Sequence, residues 1–75
     1  MYRSVPRLTK RSLLLSGHAT SVALEPAFWA VLEEMAQVRG QSLAALMVGL
    51  DAERGESSLA SACRLAALAY ARGER

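Results

Sequence analysis

Apolar and polar residues alternate along a short segment of this chain, and the pattern then changes to a helical period. The alternation covers residues 20–25, and a period of two is typical of a half-buried strand. Its two faces are Thr20, Val22 and Leu24 on one side and Ser21, Ala23 and Glu25 on the other. Pro26 opens a helix, because proline at the first helical position loses no hydrogen bond and already has a helical φ. The sequence therefore predicts a strand that leads directly into a helix.

Three helices are predicted after this strand. The first covers about residues 26–39 and ends at Gly40, the second follows an N-cap at Ser42 and stops at Gly55, and the third extends to about residue 72 from a cap at Ser57 or Ser58. The apolar stripes expected to face the core are Phe28, Leu32, Met35 and Ala36, then Leu43, Leu46, Met47 and Leu50, then Leu59, Ala62, Leu65, Ala66 and Ala69. We also assign Trp29 to the core and interpret Cys63 as a small buried hydrophobe.

The strand at residues 20–24 needs a partner, because a lone strand has two unpaired edges. The simplest partner is the same strand in a second chain. A further short strand is predicted at residues 11–16, with Gly17-His18 as turn material. Hydrophobic residues make up 52% of the 75 residues, which is more than one small core can hide, and the surplus predicts an oligomer interface.

Charge is distributed unevenly along the chain. The net charge is only +2, but residues 1–24 contain cations and no acidic residue, whereas residues 25–56 carry six acidic residues against two arginines. The N-terminal cations are Arg3, Arg7, Lys10 and Arg11. This asymmetry favours a polyanionic partner that approaches from the arm and the strand. The alternative is an ordinary solvated tail.

Several classes of protein are disfavoured by the sequence. One cysteine excludes an internal disulfide and fits a reducing compartment. No apolar run reaches the length needed to span a bilayer, and Leu13-Leu14-Leu15 is too short for a signal peptide, so we expect a cytoplasmic protein without membrane contact. His18 and Cys63 lack metal co-ligands, and Thr20 and Ser21 lack a general base. We expect no metal, no cofactor and no catalysis.

Two segments, GHATSVALEPAFW and the later LASACRLAAL, carry a family resemblance. The order of strand, proline-opened helix, Gly-x-Ser turn and second helix resembles ribbon-helix-helix proteins of the Arc and MetJ type. The residues of these two segments are more similar still to those of small bacterial ribbon-helix-helix proteins with a GHxTSxxLExxFW signature. The resemblance implies a mainly α fold with a short β-strand, in which two chains form a homodimer through an intermolecular antiparallel ribbon, and here with an extra C-terminal helix.

The resemblance also implies site residues. The ribbon would enter the major groove of DNA, and the N-terminus of the second helix would bind a phosphate. The residues that the resemblance implies for DNA contact are Ala19, Ser21 and Ala23 on the ribbon and Gln41 and Ser42 at the second helix. The charge distribution adds Arg7, Lys10 and Arg11 of the basic arm, and His18 before the strand is a further candidate. The residues implied for the dimer core are Val22, Leu24, Phe28, Trp29, Leu32, Leu46 and Leu50.

Two functions follow from this interpretation. The first is a dimeric DNA-binding protein that binds phosphates of the DNA backbone with its basic N-terminal arm and inserts its ribbon in the major groove. It would be either a transcriptional regulator or an antitoxin-like protein. The second is a protein-interaction module that keeps the fold without binding DNA, because alanine and serine on the ribbon read bases poorly. The expected division is a basic arm at residues 1–18, a ribbon-helix-helix core at 19–55 and an additional helix at 56–75.

Overall fold

A hairpin and three helices form the part of the chain that the computed structural model describes, residues 7–73. The elements in order are β1 (Thr9–Leu15), β2 (His18–Leu24), α1 (Pro26–Val38), α2 (Leu43–Glu53) and α3 (Leu59–Ala71). The predicted strand, the proline-opened helix and both later helices are therefore present within about two residues of their expected bounds. Arg3, which belongs to the expected basic arm, lies outside the described residues.

The two strands are joined by a two-residue turn at Ser16 and Gly17. Both residues have positive φ, 52° for Ser16 and 84° for Gly17. This combination suits the right-handed twist of a hairpin, and glycine adopts it without a steric penalty whereas serine does not. The sequence predicts the turn one residue later, at Gly17-His18. His18 instead begins β2, because closure at Ser16 and Gly17 places it opposite Leu15.

β1 pairs antiparallel with β2 along its whole length, from Thr9 opposite Leu24 to Leu15 opposite His18. The sequence argument for pairing with a second chain assumed that residues 20–24 form a lone strand. This assumption is wrong, because β1 of the same chain forms backbone hydrogen bonds with one edge of β2. The ribbon is thus formed within one chain. Pairing between two chains stays a prediction and concerns only the outer edges of the hairpin.

Both strands and all three helices contribute to one hydrophobic core. Its buried members are Leu15, Val22, Leu24, Trp29, Leu32, Met35, Ala36, Leu46, Met47, Cys63 and Ala67. Of the residues expected in a dimer core, five are buried here within a single chain, and Phe28 and Leu50 pack against them half-buried. Burial within one chain does not test whether these residues also form the core of a dimer. Their role in a dimer therefore stays a prediction.

The orientation of α3 differs from the expectation. Cys63 and Ala67 are its buried residues, whereas Leu65 is 63% exposed and Leu68 is 50% exposed. The expected stripe placed Leu65 inside, which is wrong. Small side chains at Cys63 and Ala67 allow α3 to approach the core closely, and Leu65 lies two positions from Cys63, about 200° around the helix.

The helix ends match the chemistry of their residues. Ser42 and Ser58 accept hydrogen bonds from the backbone N–H groups of Ala45 and Ser61, each at 3.0 Å, so Ser58 rather than Ser57 caps α3. Gly40, with φ at 67°, ends α1 in the left-handed conformation. Each of these caps satisfies a backbone group that a helix end would otherwise leave unpaired.

Candidate nucleic-acid interface

The outward face of the hairpin is formed by three cross-strand pairs. Directly opposite residues in an antiparallel ribbon share a face, and burial alternates along both strands. The outward pairs are Lys10 with Ala23, Ser12 with Ser21 and Leu14 with Ala19. The structure therefore brings the expected residues Ala19, Ser21 and Ala23 together with Lys10. Sequence reasoning missed Ser12 and Leu14, which a recognised hairpin turn would have placed on this face.

Half of the six side chains on this outward face are apolar. Leu14 is 68% exposed, and the hydroxyl oxygens of Ser12 and Ser21 lie 3.1 Å apart in a hydrogen bond. The face thus offers one cation, two hydroxyls that already bond to each other, and three apolar side chains. It carries no acidic residue, so nothing on it repels a phosphate backbone.

Arg11 lies on the opposite face of the ribbon from Lys10 and is bound to α1. Its Nη1 donates to Oε2 of Glu33 at 2.6 Å, and its guanidinium carbon lies 4.7 Å from the ring centroid of Trp29. Both interactions hold the guanidinium against the helical layer, with 36% of the side chain exposed. The charge distribution predicts that Arg11 contacts DNA, but its placement against Glu33 and Trp29 fits a positioning role instead.

Trp29 connects the ribbon to α1 from inside the core. Its indole Nε1 donates to the backbone oxygen of Thr9 at 2.7 Å, and only 1% of the residue is exposed. A buried indole N–H needs such a partner. Trp29 and Arg11 together fix the start of β1 against the first half of α1, which sets the direction in which the outward face points.

The remaining residues expected to contact DNA from the ribbon side flank the outward face. Arg7 is exposed and precedes β1, and His18 is exposed at the turn end of β2. Their positions place one cation before the Lys10 end of the ribbon and one imidazole beside the Leu14 end. The two side chains therefore lie near opposite ends of the ribbon.

The N-terminus of α2 is less suited to phosphate than the resemblance implied. Its free N–H groups favour anions, and Gln41 and Ser42 are exposed there. However, Gln41 lines an open cavity of about 520 Å³ together with Glu33 and Glu34. The carboxylate of Glu34 also accepts a hydrogen bond from Tyr70 at 2.9 Å. Two carboxylates in this cavity oppose the binding of a further anion.

Other ionisable groups stabilise the helical layer. Nε of Arg64 donates to Oε1 of Glu25 at 2.9 Å, linking α3 to the start of α1. This hydrogen bond, and a smaller one from the backbone, hold the pKa of Glu25 below its ordinary value. Burial raises the pKa of Cys63 to about 11, and its thiol donates to the sulfur of Met47 at 3.6 Å. Cys63 is therefore a neutral core residue, as the sequence indicated.

Within residues 7–73, no three histidine, cysteine, aspartate or glutamate side chains cluster in a way that could hold a metal ion. Across the same part of the chain, the helices are too short or too polar to cross a membrane.

The chain belongs to the ribbon-helix-helix domain family, whose match covers residues 8–71 and includes β1 and α3. This confirms the predicted ribbon-helix-helix fold, whereas the predicted homodimer stays a prediction. The family typically forms dimers, binds DNA and lacks catalytic activity. The chain is also similar to a solved structure, that of an uncharacterized protein from Bordetella pertussis Tohama I. The two are 41% identical, with a TM-score of 0.75 over 87% of this chain and 56% of that one.

This chain thus spans little more than half the length of that relative. No curated protein matches the chain.

Proposed function

We propose that the protein is a dimeric DNA-binding regulator, of the transcriptional or antitoxin type, whose hairpin enters the major groove. The observation that carries this proposal is the outward face of the hairpin, which bears Lys10 and no carboxylate. The major groove admits a two-stranded β-ribbon, and the hairpin is such a ribbon within one chain. Membership of a family of DNA-binding proteins supports the same function.

Lys10 and Arg7 are the phosphate-binding residues of this proposal. Both are exposed and lie at or before the same end of the ribbon. Arg11 is left out because Glu33 and Trp29 hold it on the other face. With one cation on the outward face, affinity is mostly electrostatic, and base discrimination by hydrogen bonds is weak.

The geometry of the groove restricts how two chains can associate. β2 carries no lysine, arginine or acidic residue, whereas β1 carries Lys10 and Arg11, and such charges protect an edge against pairing. Pairing of two β2 edges would give four strands, about 14 Å between the outer ones, whereas the major groove is about 12 Å wide. We therefore place the dimer interface of the DNA-binding form in the helical layer, where Leu65 and Leu68 of α3 are exposed.

Fluorescence anisotropy with a labelled mixed-sequence duplex of about 20 base pairs, titrated at several salt concentrations, tests the DNA-binding proposal. Replacing Lys10 with alanine should weaken binding to every sequence and reduce the slope of log affinity against log salt by about 0.9 for each phosphate that the variant no longer neutralises. Arg39→Ala is the matched control, because it removes another exposed cation, at the end of α1. Equal slopes for the wild type and Lys10→Ala would remove Lys10 from the interface.

The alternative function is a protein-interaction module, and the uncharged β2 edge is the observation that favours it. In that form, two β2 strands pair, and cysteines introduced singly at Ala19, Ser21 or Ala23 should cross-link two chains at one of these positions. The wild type is the control, because Cys63 is fully buried. Cross-linking, together with no DNA binding at low salt, would favour the interaction module and contradict the DNA-binding proposal.

A further inference from the structure

We propose that the ribbon recognises thymine methyl groups through Leu14 and Ala19, so that the protein prefers A·T-rich duplexes. This inference rests on the proposed DNA-binding function and specifies which chemical group of the DNA the ribbon reads. Leu14 and Ala19 are directly opposite each other on the outward face. The methyl group of thymine is the apolar feature that the major groove presents.

The polar groups of the outward face are poorly placed for base readout by hydrogen bonds. The hydroxyls of Ser12 and Ser21 satisfy each other at 3.1 Å. Arginine, lysine, asparagine and glutamine make the hydrogen bonds that distinguish bases, and of these the outward face has only Lys10. Lys10 therefore remains as the only charged donor on this face. What distinguishes the face is its apolar surface.

Leu14 is the largest part of that apolar surface. It is 68% exposed, the most exposed of the large hydrophobic residues within residues 7–73. Ala19 extends the apolar patch across the ribbon, and the turn at Ser16 and Gly17 begins only two residues after Leu14. Burying an exposed leucine against another apolar group is favourable, because it removes apolar surface from water. A thymine methyl in the groove would supply that apolar group.

The distance between Leu14 and Lys10 along the ribbon determines how far the recognised methyl group lies from the contact made by Lys10. Leu14 and Lys10 are four residues apart on one strand, about 13 Å. Successive base pairs are about 3.4 Å apart along the duplex, so the two side chains are separated by about four base-pair steps. The apolar patch thus meets a short run of bases at one end of the ribbon while Lys10 binds at the other.

The test compares two duplexes that differ only in the methyl group. The first has a central block of about ten A·T pairs, a full helical turn, and the second carries deoxyuridine for every thymidine. Wild-type affinity, measured by anisotropy, should fall about fourfold for each methyl group that is removed from the interface. Leu14→Ser should bind the thymidine duplex more weakly and should lose most of the difference between the two duplexes.

Val38→Ser is the matched control, because Val38 is 62% exposed, close to the value for Leu14, but lies at the end of α1. It should keep the full preference for thymidine. Circular dichroism should show that both variants retain the wild-type fold, since neither side chain is part of the core.

The outcomes separate this inference from the function on which it rests. Equal wild-type affinity for the two duplexes would overturn the methyl readout and leave DNA binding intact. A preference for thymidine that persists unchanged in Leu14→Ser would also overturn it, because the preference would then come from the duplex itself. Failure to bind the A·T-rich, the deoxyuridine and a mixed-sequence duplex at low salt would refute the proposed function.

Discussion

Replacing Trp29 with alanine should remove most of the stability of the protein. The side chain is 1% exposed, and its Nε1 donates to the backbone oxygen of Thr9 at 2.7 Å. Truncation of a buried tryptophan costs about 3–5 kcal/mol through reduced burial and the remaining cavity, and loss of the hydrogen bond adds about 1 kcal/mol. The cation–π interaction with Arg11 adds little, because that arginine is partly exposed.

The total of about 4–6 kcal/mol is comparable with the whole free energy of unfolding. At about 0.05–0.15 kcal/mol per residue, a chain of 75 residues has roughly 4–11 kcal/mol of stability. Trp29→Phe keeps an aromatic ring in the core and loses the hydrogen bond to Thr9, so it should cost about 1–2 kcal/mol. The two variants therefore separate the contribution of packing from that of the hydrogen bond.

Urea unfolding followed by far-ultraviolet circular dichroism measures both variants. Trp29 is the only tryptophan, so tryptophan fluorescence cannot serve for its replacements. Val38→Ala is the control, because Val38 is 62% exposed and should change stability by less than about 0.5 kcal/mol. A decrease below about 1 kcal/mol in Trp29→Ala would refute the idea that Trp29 anchors the ribbon to α1.

Three further changes test the core. Truncation after Gly55 removes α3, including the buried Cys63 and Ala67, and should lower the melting temperature and promote aggregation, as seen by thermal circular dichroism and light scattering. Val22→Asp places an unpaired carboxylate beneath the ribbon, where Val22 is 4% exposed, and should leave the chain largely unfolded by circular dichroism. Cys63 should resist thiol reagents until urea unfolds the chain, because burial raises its pKa to about 11.

The same pKa shift has a defined effect on stability. A thiol whose pKa is raised from 9.0 to about 11 on folding contributes stability that is fully present below pH 9.0 and is lost as the pH rises toward 11. A Cys63→Ala variant should lack this dependence on pH.

An unchanged melting temperature after truncation, a folded Val22→Asp variant, or a native thiol that reacts at once would each contradict the described core.

Much of the fold could be predicted because its signals are local. The Pro26 start of α1, the Gly40 end and the Ser42 cap depend on residues within one turn of each feature, and alternation over residues 20–24 placed the correct face of β2 inward. Such features follow from backbone chemistry that neighbouring residues determine.

The features that the sequence did not predict depend on interactions between distant residues. Pairing of β1 with β2 needs a turn in which Ser16 has positive φ, and Ser-Gly is a weaker hairpin signal than Asn-Gly or Asp-Gly. The position of Arg11 follows from Glu33, 22 residues later. The orientation of α3 was ambiguous because alanine occurs on every side of that helix, so apolar periodicity alone could not distinguish Leu65 from Cys63 as the inward residue.

Formation of the ribbon within one chain changes how the protein would respond to dilution. A ribbon made from two chains exists only in the dimer, so its population falls as the protomer concentration falls below the dissociation constant. Here β1 and β2 are joined by two residues, and closing so short a loop is a unimolecular step. The proposed groove-binding surface is therefore complete in each protomer at any cellular abundance, and association would increase avidity for DNA without being needed to create that surface.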